Sequence, residues 1–125
     1  MKEFHGVRQD AGGYKRLFSD SELDLYVWYE RRGGEMVGFQ LVYDKDSDPR
    51  AFTWLRGKGF RHNRVDEGDS DYFAMAPLLV ADGELRNAEI ADRVRAHGSS
   101  VDSRIIDLVC RVINAYDPAQ DNQLI

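Results

Sequence analysis

The sequence predicts an α+β fold: an antiparallel β-meander of about five strands, followed by two C-terminal helices packed on one sheet face. Three observations carry this. Segments of alternating character run from Leu23 to Val65 and are punctuated by Arg32-Gly33-Gly34 and Gly57-Lys58-Gly59. After Asn87 the apolar spacing changes to threes and fours. The 125 residues are 42% hydrophobic and 31% charged, enough for one core without a disulfide or a metal.

Residues 1–13 show no period, so regular structure is expected to begin at Tyr14–Phe18, a short first strand closed by the turn Ser19-Asp20-Ser21. Leu23–Arg31 and Glu35–Asp44 are the strongest strands. A three-residue Arg32-Gly33-Gly34 loop pairs Tyr29 with Val37, Val27 with Phe39, and Leu25 with Leu41, all on one face. Trp28 then lies opposite Gly38, free to cover the bare glycine. Pro49 closes the polar loop that follows. Ala51–Arg56 and Phe60–Val65 form the next hairpin, and a Gly57-Lys58-Gly59 loop sets Trp54 opposite His62.

Asp66–Asp71 reads as an acidic connector, Tyr72–Ala76 as ambiguous, and Pro77–Val80 as a short strand before the Asp82-Gly83 turn. Asn87 is expected to cap a helix ending near His97 and Gly98, with Ile90, Ala91 and Val94 as its thin apolar stripe. Ser99 and Asp102 resemble a capping box for a stronger helix over about Val101–Tyr116. Its stripe of Val101, Ile105, Leu108, Val109, Val112, Ile113 and Tyr116 is suited to cover one sheet face. Pro118 stops it. No repeat or linker divides the chain, so one domain over 1–125 is expected.

The 22 acidic and 17 basic residues give a net charge of −5, which argues against nucleic acid and against a polybasic membrane contact. The first residues lack an apolar signal region, and the single cysteine, Cys110, has no internal disulfide partner; both favour a reducing cytoplasm. Asp44-x-Asp46-x-Asp48 matches the first ligand positions of a calcium loop, but Pro49 and Leu55 stand where glycine and a bidentate glutamate are required. His5, His62 and His97 are too scattered for a metal site. No phosphate loop or dinucleotide fingerprint is present, and no cofactor is expected.

Two places hold the candidate functional residues. The Tyr26, Trp28, Met36 and Gln40 face of the main hairpin interleaves aromatic, thioether and polar groups, as interfaces do. The competing reading covers that face with residues 1–18, the first helix or another strand layer. The second place is the hairpin carrying Trp54, Arg56, His62 and Arg64, where arginines would hold an anion and His62 would move a proton. No nucleophile accompanies His62 in a recognisable motif, so a packed strand histidine is the competing reading there.

Val37-Gly38-Phe39-Gln40-Leu41-Val42-Tyr43-Asp44, Thr53-Trp54 with Phe60-x-His62-x-Arg64-Val65, and Leu79-Val80-Ala81-Asp82-Gly83 together resemble a pattern in a family of small conserved bacterial proteins of unknown function. The resemblance spans most of the chain. It implies a bacterial cytoplasmic setting and a single domain, and transfers no catalytic residue. The expected function is therefore a non-enzymatic interaction module acting on a protein partner or on itself as a homodimer. The alternative is a protein or enzyme that binds a small anionic ligand on the Trp54/His62/Arg64 hairpin.

Overall fold

The computed structural model describes residues 1–9, 12–65 and 86–117. The expectations for 66–85 and for the tail beyond 117 lie outside the described residues. Among the described residues, six strands form one sheet: β1 (Lys2–Phe4), β2 (Tyr14–Ser19), β3 (Asp24–Tyr29), β4 (Met36–Tyr43), β5 (Arg50–Leu55) and β6 (Gly59–Arg64). They pair antiparallel in sequence order. Helices α1 (Asn87–His97) and α2 (Ser103–Ala115) follow. The α+β meander with two C-terminal helices is thus as expected, with β1 added at the edge.

Alternation explains the core. Val27, Leu25, Phe39, Leu41 and Phe52 point to one face and are fully buried with Ile90, Val94, Val109 and Ile113 of the helices. A strand's side-chain period of two leaves the other face to Tyr26, Gln40, Thr53 and Arg61, which lie opposite one another in a row across β3 to β6. All four are buried, although α1 and α2 pack on the opposite face and residues 2–4 and 14–19 continue the sheet in its own plane. The first helix therefore does not supply the covering layer that was the competing expectation, and β1 and β2 extend the sheet at its edge, with Gln9, Gly12 and Gly13 beside Trp28.

The register departs from expectation in both hairpins. Leu25–Leu41, Val27–Phe39 and Trp28–Gly38 pair as anticipated, but a bulge then sets Tyr29 opposite Met36 instead of Val37. The extra residue reverses the parity at the end of β4. Met36 consequently packs against the helix-covered core, not on the face of Trp28. In the second hairpin Arg56-Gly57-Lys58 is the loop, closed by the Lys58 N–H donating to Leu55 O at 2.9 Å. Trp54 pairs with Phe60, and His62 faces Phe52. Gly57 adopts φ 76°, the left-handed conformation that closes such a loop.

Gly38 is bare for a different reason than expected. A Cβ there would lie 2.6 Å from Leu55 Cδ2 and 2.6 Å from Trp54 O, so the neighbouring strand fills the space, not the Trp28 indole.

Helix ends are tied to other elements. Asn87 does not cap α1; its amide donates to Ile113 O (2.9 Å) and Tyr116 O (3.0 Å), satisfying carbonyls at the end of α2. Asp102 caps α2 by accepting from the Arg104 N–H at 2.9 Å. His97 binds Asp20 through Nδ1 at 2.7 Å and lies 3.3 Å from Glu22 through Nε2. The Met1 ammonium donates to His97 O and lies 3.5 Å from Asp20, and Ser100 Oγ donates to Met1 O. Burial alone would raise the Asp20 carboxyl. The His97 hydrogen bond and the Leu23 and Glu22 N–H groups outweigh that and hold it down at about 2.

Candidate functional site

The β5–β6 hairpin does not gather its expected ligand-binding residues. His62 is only 1% exposed. Its Nε2 shares a 2.5 Å hydrogen bond with the Tyr43 hydroxyl, and Tyr116 meets its ring edge-on at 6.3 Å between centroids. Tyr116 also packs edge-on against Phe52 and Phe60. Trp54 is half-buried against Phe39. Arg56 projects from the turn, where it binds Glu35 at 3.0 Å and the carbonyl of Met36. Arg64 lies at the exposed sheet edge, 3.9 Å from Asp48. The histidine is thus inside the core while the arginines are outside it.

The expected interface residues are likewise dispersed. Tyr26 and Gln40 are each 8% exposed. Gln40 donates to Thr53 Oγ1 at 2.9 Å, and its Oε1 has no hydrogen-bond partner among the described residues. Trp28 is half-buried, and Met36 faces the opposite side of the sheet.

A cleft instead opens at the other end of the sheet, where β2, the β3–β4 loop and the start of α2 meet. Its volume is about 450 Å³. Met36, Ile105 and Leu108 give it an apolar floor, and Tyr14 and Tyr29 form an aromatic wall with ring centroids 6.1 Å apart. Gly33 and Gly34 form a rim without side chains, and Gly33 adopts φ 78°, a conformation that strains other residues. Arg16, Arg104 and Asp102 supply its charged groups.

Arg16 is held in place by Glu3 and Tyr29, and its guanidinium stands over the Phe18 ring at 4.9 Å. Its Nε and Nη2 donate to the two Glu3 oxygens at 2.9 and 2.8 Å, and its Nη1 lies 3.3 Å from the Tyr29 hydroxyl. The Glu3 hydrogen bonds raise the Arg16 pKa further, and the Arg16 hydrogen bonds hold the Glu3 carboxyl low in turn. Arg104 is 89% exposed at its side chain and reaches back to Asp102 at 3.1 Å. That hydrogen bond lowers the Asp102 carboxyl. Arg32, outside the lining itself, stands over the Tyr14 ring at 5.8 Å and places a further cation beside the aromatic wall.

A second cleft, of about 390 Å³, lies beyond the same tyrosine wall and is lined by Trp28, Val37, Gln9 and Lys15 among others. There the Gln9 amide pairs with the Lys15 backbone in both directions, at 2.8 and 2.9 Å. This replaces the ladder bonds that β1, ending at Phe4, does not reach.

Sequence reading missed Tyr14, Arg16, Tyr29, Arg104 and Leu108 as a group. Tyr14 was legible as the start of a strand and Tyr29 as part of another, but their pairing needed the β2–β3 register, and α2 could not be placed over them from the pattern alone. Among the described residues, no group of three His, Cys, Asp or Glu side chains is placed to hold a metal ion. No helix among them is long and apolar enough to cross a membrane. No protein-family model, curated protein or solved structure matches the chain.

Proposed function

We propose that this chain is a non-enzymatic interaction module that recognises a protein partner through the Tyr14/Tyr29 cleft. The carrying observation is the composition and shape of that cleft: an apolar floor, two tyrosines and a rim of arginines around a glycine edge. Tyrosine, methionine and arginine are the residue types enriched where proteins bind one another. The chemistry of the lining favours binding over catalysis. The one carboxylate among its lining residues, Asp102, is engaged by the backbone and side chain of Arg104, and no serine, cysteine, histidine or lysine is among those lining residues. Its volume lies within the usual range for a ligand or side-chain pocket.

Panning a displayed peptide library on the intact chain tests this. The reading expects enriched peptides whose binding falls about tenfold or more in Tyr14→Ala, in keeping with an anchor contact. An absence of enrichment, or peptides that bind Tyr14→Ala as well as the native chain, would reject it.

A further inference from the structure

The charge around the same cleft points to the chemistry of its occupant. Arginine has five N–H donors in a planar fork. Arg16 uses three of its own on Glu3 and Tyr29, and its bidentate grip on Glu3 fixes the plane of the fork at the cleft wall. Arg104 uses two on Asp102, through Nε at 3.4 Å and Nη2 at 3.1 Å. The remaining donors of both guanidiniums have no partner among the described residues. The Arg104–Asp102 pair is solvated and spans only two residues, so little free energy holds it against a competing carboxylate.

The chain as a whole is acidic, with a net charge of −5. Screening over about 8 Å at physiological ionic strength makes local charge the deciding quantity at a contact. Locally, Arg16, Arg32 and Arg104 stand against Glu3 and Asp102, while Glu30 and Glu35 of the β3–β4 turn are paired with Arg31 and Arg56. This end of the sheet therefore carries a cationic rim on an anionic protein. A bare anion would use the rim and leave the Met36, Ile105 and Leu108 floor unfilled. A purely apolar ligand would fill the floor and leave the guanidinium donors to water.

Resting on the interaction reading above, we propose that the cleft binds an acidic segment of a partner protein in which a bulky apolar residue is flanked by carboxylates. The apolar side chain enters between Tyr14, Tyr29 and Leu108. The flanking carboxylates accept from Arg16 and Arg104 and approach the backbone across Gly33 and Gly34, where no side chain intervenes.

The test is fluorescence anisotropy with three fluorescein-labelled pentapeptides: Glu-Glu-Phe-Glu-Glu, Glu-Glu-Gly-Glu-Glu and Lys-Lys-Phe-Lys-Lys. The first is expected to bind at least about tenfold more tightly than either of the others, because each lacks one of the two matched features. Arg104→Glu and Arg32→Glu, both at exposed side chains, are each expected to weaken the first peptide about threefold to tenfold, and added salt to weaken it further. Equal binding of the glycine peptide, preference for the lysine peptide, or indifference to both charge reversals overturns the inference. If basic peptides are selected and lose binding in Tyr14→Ala, the interaction module stands and only its acidic specificity falls.

Discussion

The β3–β4 and β5–β6 hairpins are alike in sequence and opposite in fate. Both carry aromatic residues, arginines and a glycine-containing turn. The difference lies in how α2 crosses the sheet. A helix of 13 residues is about 20 Å long, so its two ends meet different strands. At its C-terminal end Tyr116 closes over Phe52, Phe60 and His62. At its N-terminal end Asp102, Arg104 and Ile105 border a gap above Tyr29, Met36 and the bare Gly33-Gly34 edge. The same residue types stabilise the fold where the helix seals them and remain available for contact where it does not.

This contrast assigns stability to the closed end and binding to the open one, and substitutions can separate the two. The largest effect is expected for Phe52→Ala. Phe52 is fully buried and touches the Phe39, Phe60 and Tyr116 rings, so truncation should cost about 3–5 kcal/mol in urea unfolding. A loss below about 1 kcal/mol would mean that the closed end is not a packed core. Next is Tyr43→Phe, which removes the hydroxyl facing His62 inside that core. Unfolding should register a cost of about 1–3 kcal/mol, and no change would show that this hydrogen bond is not sustained.

A smaller effect should appear on acidification. The Asp20 carboxyl is held at about 2, below its ordinary 3.8. A carboxyl depressed in the folded state contributes stability that is complete above its unfolded value and lost as pH falls through the folded one. The loss should develop between about pH 4 and pH 2 and amount to roughly 1 kcal/mol, given the partial exposure of the site. Asp20→Asn should flatten the stability profile in that window; an unchanged slope would remove Asp20 from the account. The smallest stability effect is expected for Arg104→Glu at the open end, where the urea midpoint should match the native chain. A large midpoint shift would make Arg104 a structural residue and blur the distinction between the two ends.

Much of the sheet was legible because burial enforces register. Val27–Phe39 and Leu25–Leu41 follow from alternation and a glycine loop, since any one-residue slip exposes the core set. The bulge beside Tyr29 was not legible: adding one residue costs little locally and depends on how Met36 finds the helices. Phe60 was mistaken for the residue after the turn because two glycines flank Lys58, and a three-residue loop can begin at either Arg56 or Gly57. Asn87 shows the same limit at a helix end. Its local sequence favours a cap, yet its amide reaches carbonyls 26 and 29 residues away. The cleft escaped sequence reading for this reason too. It is assembled from three segments distant in sequence, with α2 placed by tertiary packing and β1 too short to show a period.

The most direct measurement of the central claim is amide chemical-shift mapping during titration with Glu-Glu-Phe-Glu-Glu. The account predicts that the signals of Gly33, Gly34 and Ile105 move while those of Phe60 and His62 stay in place. Shifts concentrated on Trp54 and the 60–64 strand, or none at saturating peptide, would contradict it.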